Sequence, residues 1–262
     1  ERKIMEEKKV VLITGGAMGQ GRAHAYKYAE NGFNVVLADM LDPSHEAFKE
    51  TIASCEAKGA KVLAKKANIT STEDMEALFA SAWETFGRID VVIANAGVIN
   101  FGYTWELTDE QVEKVMDINL IGTWRTDKYA AKYMLKQEFG RIINISSTSG
   151  LYGTPQLATY CMSKWGILGL TKTLAKEVGS KGIIVNALCP TKVKTPMCET
   201  MDYVKFINDL TGKNFKSVEE MYAGVPFLEV EDIASMVYWL GTSREAGKFN
   251  GQGVPLDLGT LQ

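Results

Sequence analysis

Short runs of apolar, largely β-branched residues alternate along this chain with longer stretches in which apolar positions recur every three or four residues. The short runs predict strands over 10–14, 34–39, 61–66, 91–95, 142–146, 183–189 and 254–257. The longer stretches predict helices over 21–31, 43–58, 72–86, 108–136, 158–179 and 231–241. Runs such as Val10-Val-Leu-Ile-Thr14 are apolar at nearly every position rather than at every second one, which fits strands buried on both faces. Strand and helix in steady alternation predict an α/β fold, a doubly wound parallel sheet of about seven strands with helices on both faces. One stretch, 195–224, interrupts the rhythm and carries Met197, Met201, Tyr203, Phe206, Ile207, Phe215, Met221 and Tyr222. It is too long for an ordinary connection and predicts a flap with helices of its own.

Composition narrows the class. A chain of 262 residues that is 46% hydrophobic suits one globular domain spanning 1–262 with a substantial core. A net charge of -3 offers no basic footprint for nucleic acid or an anionic membrane surface. No apolar run approaches membrane-spanning length, and the charged opening segment 1–9 has no apolar signal core before it runs into the first strand. Cys55, Cys161, Cys189 and Cys198 show no CxxC spacing and are too few for a disulfide framework, so they read as reduced thiols of a cytoplasmic protein. His24 and His45 cannot build a usual metal cluster, so no metal is expected. Each reads as a helix-surface or loop residue.

The candidate chemistry lies in Tyr160-Cys-Met-Ser-Lys164. Four-residue spacing on a helix sets a phenol beside an ammonium, and no other tyrosine has a lysine four positions on. A neighbouring positive charge favours the phenolate and would bring the group toward exchange near neutrality. Upstream, Arg141-Ile-Ile-Asn-Ile-Ser-Ser147 reads as a buried strand ending in hydroxyls, followed by a loop with Gly150, Gly153 and Pro155 that leads into the helix of Tyr160. Open α/β sheets place ligands at the C-terminal ends of their strands, so Ser147 and Tyr160 are expected to converge there. Strand alternation points the neighbouring Ser146 to the opposite face.

At the other end, Val10 to Gly21 reads as a strand, then Gly15, Gly19 and Gly21, then a helix. Glycines of this kind allow a tight turn and let backbone amides approach a pyrophosphate at a helix N-terminus, as in Rossmann-type sheets. Asp39, near the end of the second strand and eighteen residues past Gly21, is placed to accept hydrogen bonds from the adenine-ribose hydroxyls and to repel a 2′-phosphate. Met18 and Met40 offer no cation against that repulsion, which predicts NAD(H) over NADP(H).

Together these pieces resemble the short-chain dehydrogenase/reductase family from about residue 9 to 258. Thr14-Gly-Gly-Ala-Met-Gly-Gln-Gly21 is similar to its TGxxxGxG turn, Asn95-Ala-Gly97 to its NAG motif, Asn119 to its helix asparagine, and Tyr160 to Lys164 to YxxxK. Ser147 stands at the family's thirteen-residue spacing before Tyr160. Within the family, Gly19-Gln-Gly-Arg-Ala-His-Ala25 and Cys189-Pro-Thr-Lys-Val-Lys-Thr-Pro-Met197 resemble the carveol-dehydrogenase-like branch, and hydroxysteroid dehydrogenases are similar as well. Gln20 stands where an aliphatic residue is usual, Asn68 where an aspartate usually meets the adenine, and Thr191 where a glycine often follows proline.

The resemblance implies an NAD-dependent enzyme with Asn119, Ser147, Tyr160 and Lys164 as catalytic residues. It implies a cofactor site of Gly15, Met18, Gly19, Gln20, Gly21, Asp39, Asn68, Ile69, Asn95, Ala96, Gly97, Tyr160, Lys164, Pro190, Val193 and Thr195. Asn119 would kink its helix and hold a water linking Lys164 to solvent, and Thr195 with the Val193 backbone would hold the carboxamide. Substrate would meet Ser147, Tyr152 and Tyr160, and Leu151, Trp105 and the flap would wall an apolar pocket. The implied substrate is a hydrophobic secondary alcohol or ketone, a hydroxysteroid such as a bile acid or a terpenoid alcohol. A ketoacyl-carrier reductase and a catalytically idle NAD-sensing protein are the alternatives. The helices expected over 108–136 and 158–179 are where family members pair, usually into homotetramers, with a homodimer as the smaller assembly.

Overall fold

The computed structural model describes residues 8–259, so most of the charged opening segment and the last three residues lie outside the described chain. Strands β1 (Val10–Thr14), β2 (Asn34–Asp39), β3 (Val62–Lys66), β4 (Val91–Ala94), β5 (Gly140–Ile145), β6 (Ile183–Pro190) and β7 (Gly253–Leu256) form one sheet. Their order is β3-β2-β1-β4-β5-β6-β7, and every neighbouring pair is parallel. Strand order reverses between β1 and β4, and a crevice opens there beyond the strands' C-terminal ends.

The helices are α1 (Gly19–Glu30), α2 (Glu46–Ala57), α3 (Thr72–Phe86), α4 (Asp109–Met116), α5 (Gly122–Gln137), α6 (Ala158–Val178), α7 (Met201–Thr211), α8 (Val218–Gly224) and α9 (Val230–Thr242). Period-two alternation along β1 feeds two cores. Val11 and Ile13 pack with Tyr28 of α1, Phe48 of α2 and Val237 of α9. Val10 and Leu12 pack with Phe79 of α3, Met134 of α5 and Leu174 of α6. The sheet is thus covered on both faces, as the uninterrupted apolar runs require. No helix among the described residues is long and apolar enough to cross a membrane.

Two sequence expectations change. The helix expected over 108–136 is two helices joined by a π-helical turn, Asp117–Ile121, in which the Gly122 N–H bonds to Asp117 O five residues back. Thr123 Oγ1 donates to Asn119 O inside this turn (2.7 Å), so the wide turn centres on the asparagine singled out from the sequence. His24 is not on a helix surface. It is fully buried on α1, which packs beside α9 on one face of the sheet, and burial pushes its imidazole down to about 3 with neither ring nitrogen hydrogen-bonded. His45 caps α2, its Nδ1 accepting from Ala47 N. An unanticipated feature is Asp127, a carboxyl buried on the inner face of α5 with Asn144 Nδ2 donating to it at 2.9 Å. Desolvation there pushes its pKa up to about 7, so the core holds a titrating acid that the helical pattern did not reveal.

Beyond β6 the chain makes a short 3₁₀ turn, Pro196–Cys198, and then α7 and α8, which is the flap anticipated over 195–224. Tyr203, Val204, Phe206, Ile207 and Met221 bury there against Leu157 and Cys161. The four cysteines are unpaired and buried.

Candidate active site

The turn after β1 is built on close backbone approach. Gly15 and Gly19 have φ of 65° and 55°, in the left-handed region that favours glycine. A Cβ on Gly21 would overlap Gly15 O, so α1 can start this near the strand only with hydrogen at that position. Thr14 Oγ1 accepts from the backbone N–H of Asn95 (3.1 Å) and Ala96 (3.3 Å), and Asn95 Nδ2 donates to Thr14 O (3.0 Å) and Gly15 O (3.2 Å). The ends of β1 and β4 are therefore tied together at the switch point. Gly21→Ala is expected to cost about 1–3 kcal/mol, the scale of overpacking. A lowered unfolding midpoint together with weakened dinucleotide binding is the readout.

Gly15, Met18, Gly19, Gln20, Asp39, Asn68, Ile69, Asn95, Ala96, Gly97 and Thr195 line one groove of about 590 Å³. Gly21 lies beneath it in the turn. Asp39 is fixed at its far end, accepting from Ala17 N (3.0 Å) and Leu41 N (3.1 Å). Asn68 Oδ1 accepts from Thr70 N (3.0 Å) and Thr70 Oγ1 (2.9 Å), which shapes the turn after β3. Arg22 supplies no loose cation, because its guanidinium donates to Ala17 O, Ala47 O and Glu50. Lys66 does stand opposite Asp39 in the β2–β3 register, a cation the motif reading passed over. Two observations favour a dinucleotide here: the glycine cradle that a Cβ would fill, and Gln20 Oε1, buried in the groove without a partner.

The catalytic candidates gather where β5 ends. Ser147 caps the short turn Thr148–Gly150, its Oγ accepting from Ser149 N at 3.1 Å and lying 3.4 Å from Pro190 O. Ser146 borders the same recess, and its Oγ donates to Lys164 O (3.0 Å), fastening α6 to the end of β5. Lys164 is buried, and its Nζ donates to Ile145 O at 2.7 Å and stands 5.4 Å from the Tyr160 ring centroid. Asn119 accepts from Val98 N (2.8 Å) and donates to Val98 O (2.9 Å) and Ser163 Oγ (3.2 Å). It therefore joins the loop after β4 to the helix of Tyr160. Ser147, Tyr160, Lys164 and Pro190 line one recess. Val193 and Thr195 line the adjoining cleft, with Thr195 Oγ1 lying 3.4 Å from Val193 O.

The electrostatics of the pair differ from the expectation. Tyr160 is pushed up to about 12 by desolvation, against a lowering hydrogen bond with Ser147, and Lys164 is pulled down to about 8 by its own desolvation. The ammonium points at Ile145 O rather than at the phenol oxygen, so enclosure outweighs the pairing. As it stands, Tyr160 is a firmly protonated acid.

Tyr152 lines the cleft with Tyr160 and Ser147. Two other expected walls do not. Leu151 packs inward against Leu168, Ala187 and Cys189, because the turn tucks it onto β6. Trp105 is 79% exposed and stacks on Tyr103 outside the cleft.

The sequence pattern described as short chain dehydrogenase matches residues 9–203. An uncharacterized NAD-dependent oxidoreductase of Mycobacterium tuberculosis is 37% identical over 97% of this chain and 96% of its own. The (−)-trans-carveol dehydrogenase of Rhodococcus erythropolis is 34% identical over 97% of this chain and 98% of its own. Among solved structures, carveol dehydrogenase from Mycobacterium avium in complex with NAD superposes with a TM-score of 0.90 at 28% identity, covering 97% of both chains. Match length, coverage and the tyrosine–lysine geometry agree: the chain belongs to the short-chain dehydrogenase family, on the side of its carveol-dehydrogenase-like members.

Proposed function

We propose that this protein is an NAD(H)-dependent oxidoreductase acting on a hydrophobic secondary alcohol or its ketone, of terpenoid or hydroxysteroid type. The observation that carries the reading is the convergence of Ser147, Tyr160 and Lys164 in one recess beside a groove that ends on Asp39. In that groove the Gly15 to Gly21 turn would face the pyrophosphate, and Asp39 the adenine ribose. Asn68 and Ile69 would flank the adenine, Lys164 would meet the nicotinamide ribose, and Val193 with Thr195 the carboxamide. When bound, the dinucleotide supplies the hydride acceptor for oxidation and the donor for reduction.

The chain's own residues do the rest. Ser147 Oγ holds the substrate oxygen, and the Tyr160 hydroxyl gives its proton to the carbonyl oxygen in reduction; in oxidation the same oxygen, its own proton first released by way of Lys164, receives the alcohol's proton. Lys164, close to Tyr160 and reached from the loop that Asn119 anchors, is the route by which that proton is replaced, through water held at the π-helical turn. The flap over 195–224 closes the apolar side. The reading extends to a cytoplasmic protein paired through α5 and α6, which is supported by the unpaired buried cysteines and by Trp124 and Trp165 standing exposed on those helices.

The test is an NADH-absorbance assay over terpenoid alcohols, steroids and bile acids. Turnover of hydrophobic secondary alcohols with NAD is expected. Preference for NADPH with a ketoacyl-carrier substrate would overturn the reading, as would tight NAD binding with no turnover of any alcohol. Asp39→Ala is expected to lower the NAD to NADP ratio of kcat/KM by at least about tenfold, the scale of a lost charged hydrogen bond. An unchanged ratio would remove Asp39 from cofactor choice.

A further inference from the structure

The cleft beside Tyr160 is small, about 120 Å³, well under the roughly 300–1,000 Å³ that a drug-sized ligand occupies. It continues outward. Ile99, Met197 and Phe206 wall both this cleft and a second pocket of about 790 Å³ between the loop after β4 and α7. Met197, unbranched and flexible, also borders the cofactor groove, so it stands where all three spaces meet.

The outer pocket differs in character from the cleft. Glu106, Asp202 and Asp209 border it against a single cation, Lys205. Gln156, held at a φ of 65°, donates Nε2 to Asp209 Oδ2 (3.2 Å) and fixes that carboxylate at the wall. Tyr103 lines the same space with Trp105 stacked on it, ring centroids 5.0 Å apart and ring planes nearly parallel at 8°. Asn100 lines it too, and both of its amide atoms are buried without a hydrogen-bond partner. Aromatic faces with excess carboxylate attract cations and repel anions, and a buried amide without partners calls for a polar group on the ligand.

We propose that this pocket is a second subsite that seats the far end of an elongated alcohol and ranks it by charge, ammonium ahead of neutral and neutral ahead of carboxylate. The inference rests on the cleft at Tyr160 being where the alcohol reacts. It sets a carboxylated steroid such as a bile acid behind its neutral counterpart.

The probes are cyclohexanol, which the inner cleft alone must handle, and three cyclohexanols with an alkyl arm ending in trimethylammonium, hydroxymethyl or carboxylate. At low ionic strength kcat/KM should fall in that order, spanning about thirtyfold between ammonium and carboxylate. That is the scale of two net charges acting across a solvated pocket at roughly 7 Å. The span should shrink as salt is added, and the double variant Asp202→Asn/Asp209→Asn should compress it at fixed salt. Cyclohexanol turnover with no ranking among the arms, or a ranking indifferent to salt and to the double variant, would overturn the subsite. Calorimetric binding of the three arms reads the subsite independently of turnover. The same order with no oxidation of any probe supports the subsite and counts against the proposed reaction, whereas equal affinities overturn the subsite.

Discussion

Tyr160→Phe is expected to lower kcat by at least about a hundredfold while dinucleotide affinity stays within a small factor. The substitution deletes one oxygen and little else. The ring packs with the flap cluster around Leu157 and Cys161, and phenylalanine keeps that packing. Ser147 keeps its own contacts to Ser149 and Pro190, and Lys164 keeps its bond to Ile145 O. What disappears is the proton donor to the substrate oxygen, and removal of a positioned acid or base costs about 10²–10⁴ in rate. With the phenol pushed up to about 12, the wild-type group stays protonated across ordinary working pH, so the loss should be plain in ketone reduction. Single-turnover kinetics beside a fluorescence titration of NADH separate the two effects. A near-normal kcat in the variant would assign the proton transfer elsewhere.

The sheet was legible because parallel strands buried on both faces must be apolar at almost every position, which no surface helix imitates. The turn at Gly21 and the Tyr160 to Lys164 spacing were legible for a similar reason: each is a local geometry that few residues satisfy. Most of what stayed hidden depended on residues far apart in the chain. His24 reads as a polar position on an amphipathic helix, and its burial comes with the packing of α1 among the sheet, α2 and α9. The break at Asn119 was expected from the family resemblance but not from the helical pattern, and it sits where the loop at Val98 and Ser163 of α6 both bond that side chain, contacts 21 and 44 residues away. Trp105 was assigned to the apolar wall on hydrophobicity, yet its partner is Tyr103, two residues away and outside the cleft. The pKa of the catalytic pair was misjudged for a related reason. Spacing reports the nearness of the ammonium but not the enclosure of both groups, and here enclosure dominates.

The second large effect lies away from the chemistry. Asp127→Asn is expected to remove a pH dependence of folding stability that the wild-type chain carries between pH 5 and 8. Asp127 is buried with a pKa raised from 3.8 to about 7, desolvation outweighing the donation from Asn144. The unfolded chain releases this proton near its ordinary value, whereas the folded chain holds it until about 7. Over that interval the native state binds more protons, so the stability contributed by the neutral carboxyl is complete below the ordinary value and is lost as pH rises through 7. At about 1.4 kcal/mol per pH unit the full loss is on the order of 4 kcal/mol, of which about 3 kcal/mol falls between pH 5 and 8. Asparagine is nearly isosteric, neutral throughout, and keeps a carbonyl oxygen for Asn144 Nδ2, so the variant should gain on the wild type by about that amount across the range. Urea unfolding of both proteins at matched pH isolates this one group, since every other titration cancels in the difference. Parallel stability curves would mean that Asp127 is ionised in the folded protein, and its buried second oxygen would then need a cation or proton donor to balance it.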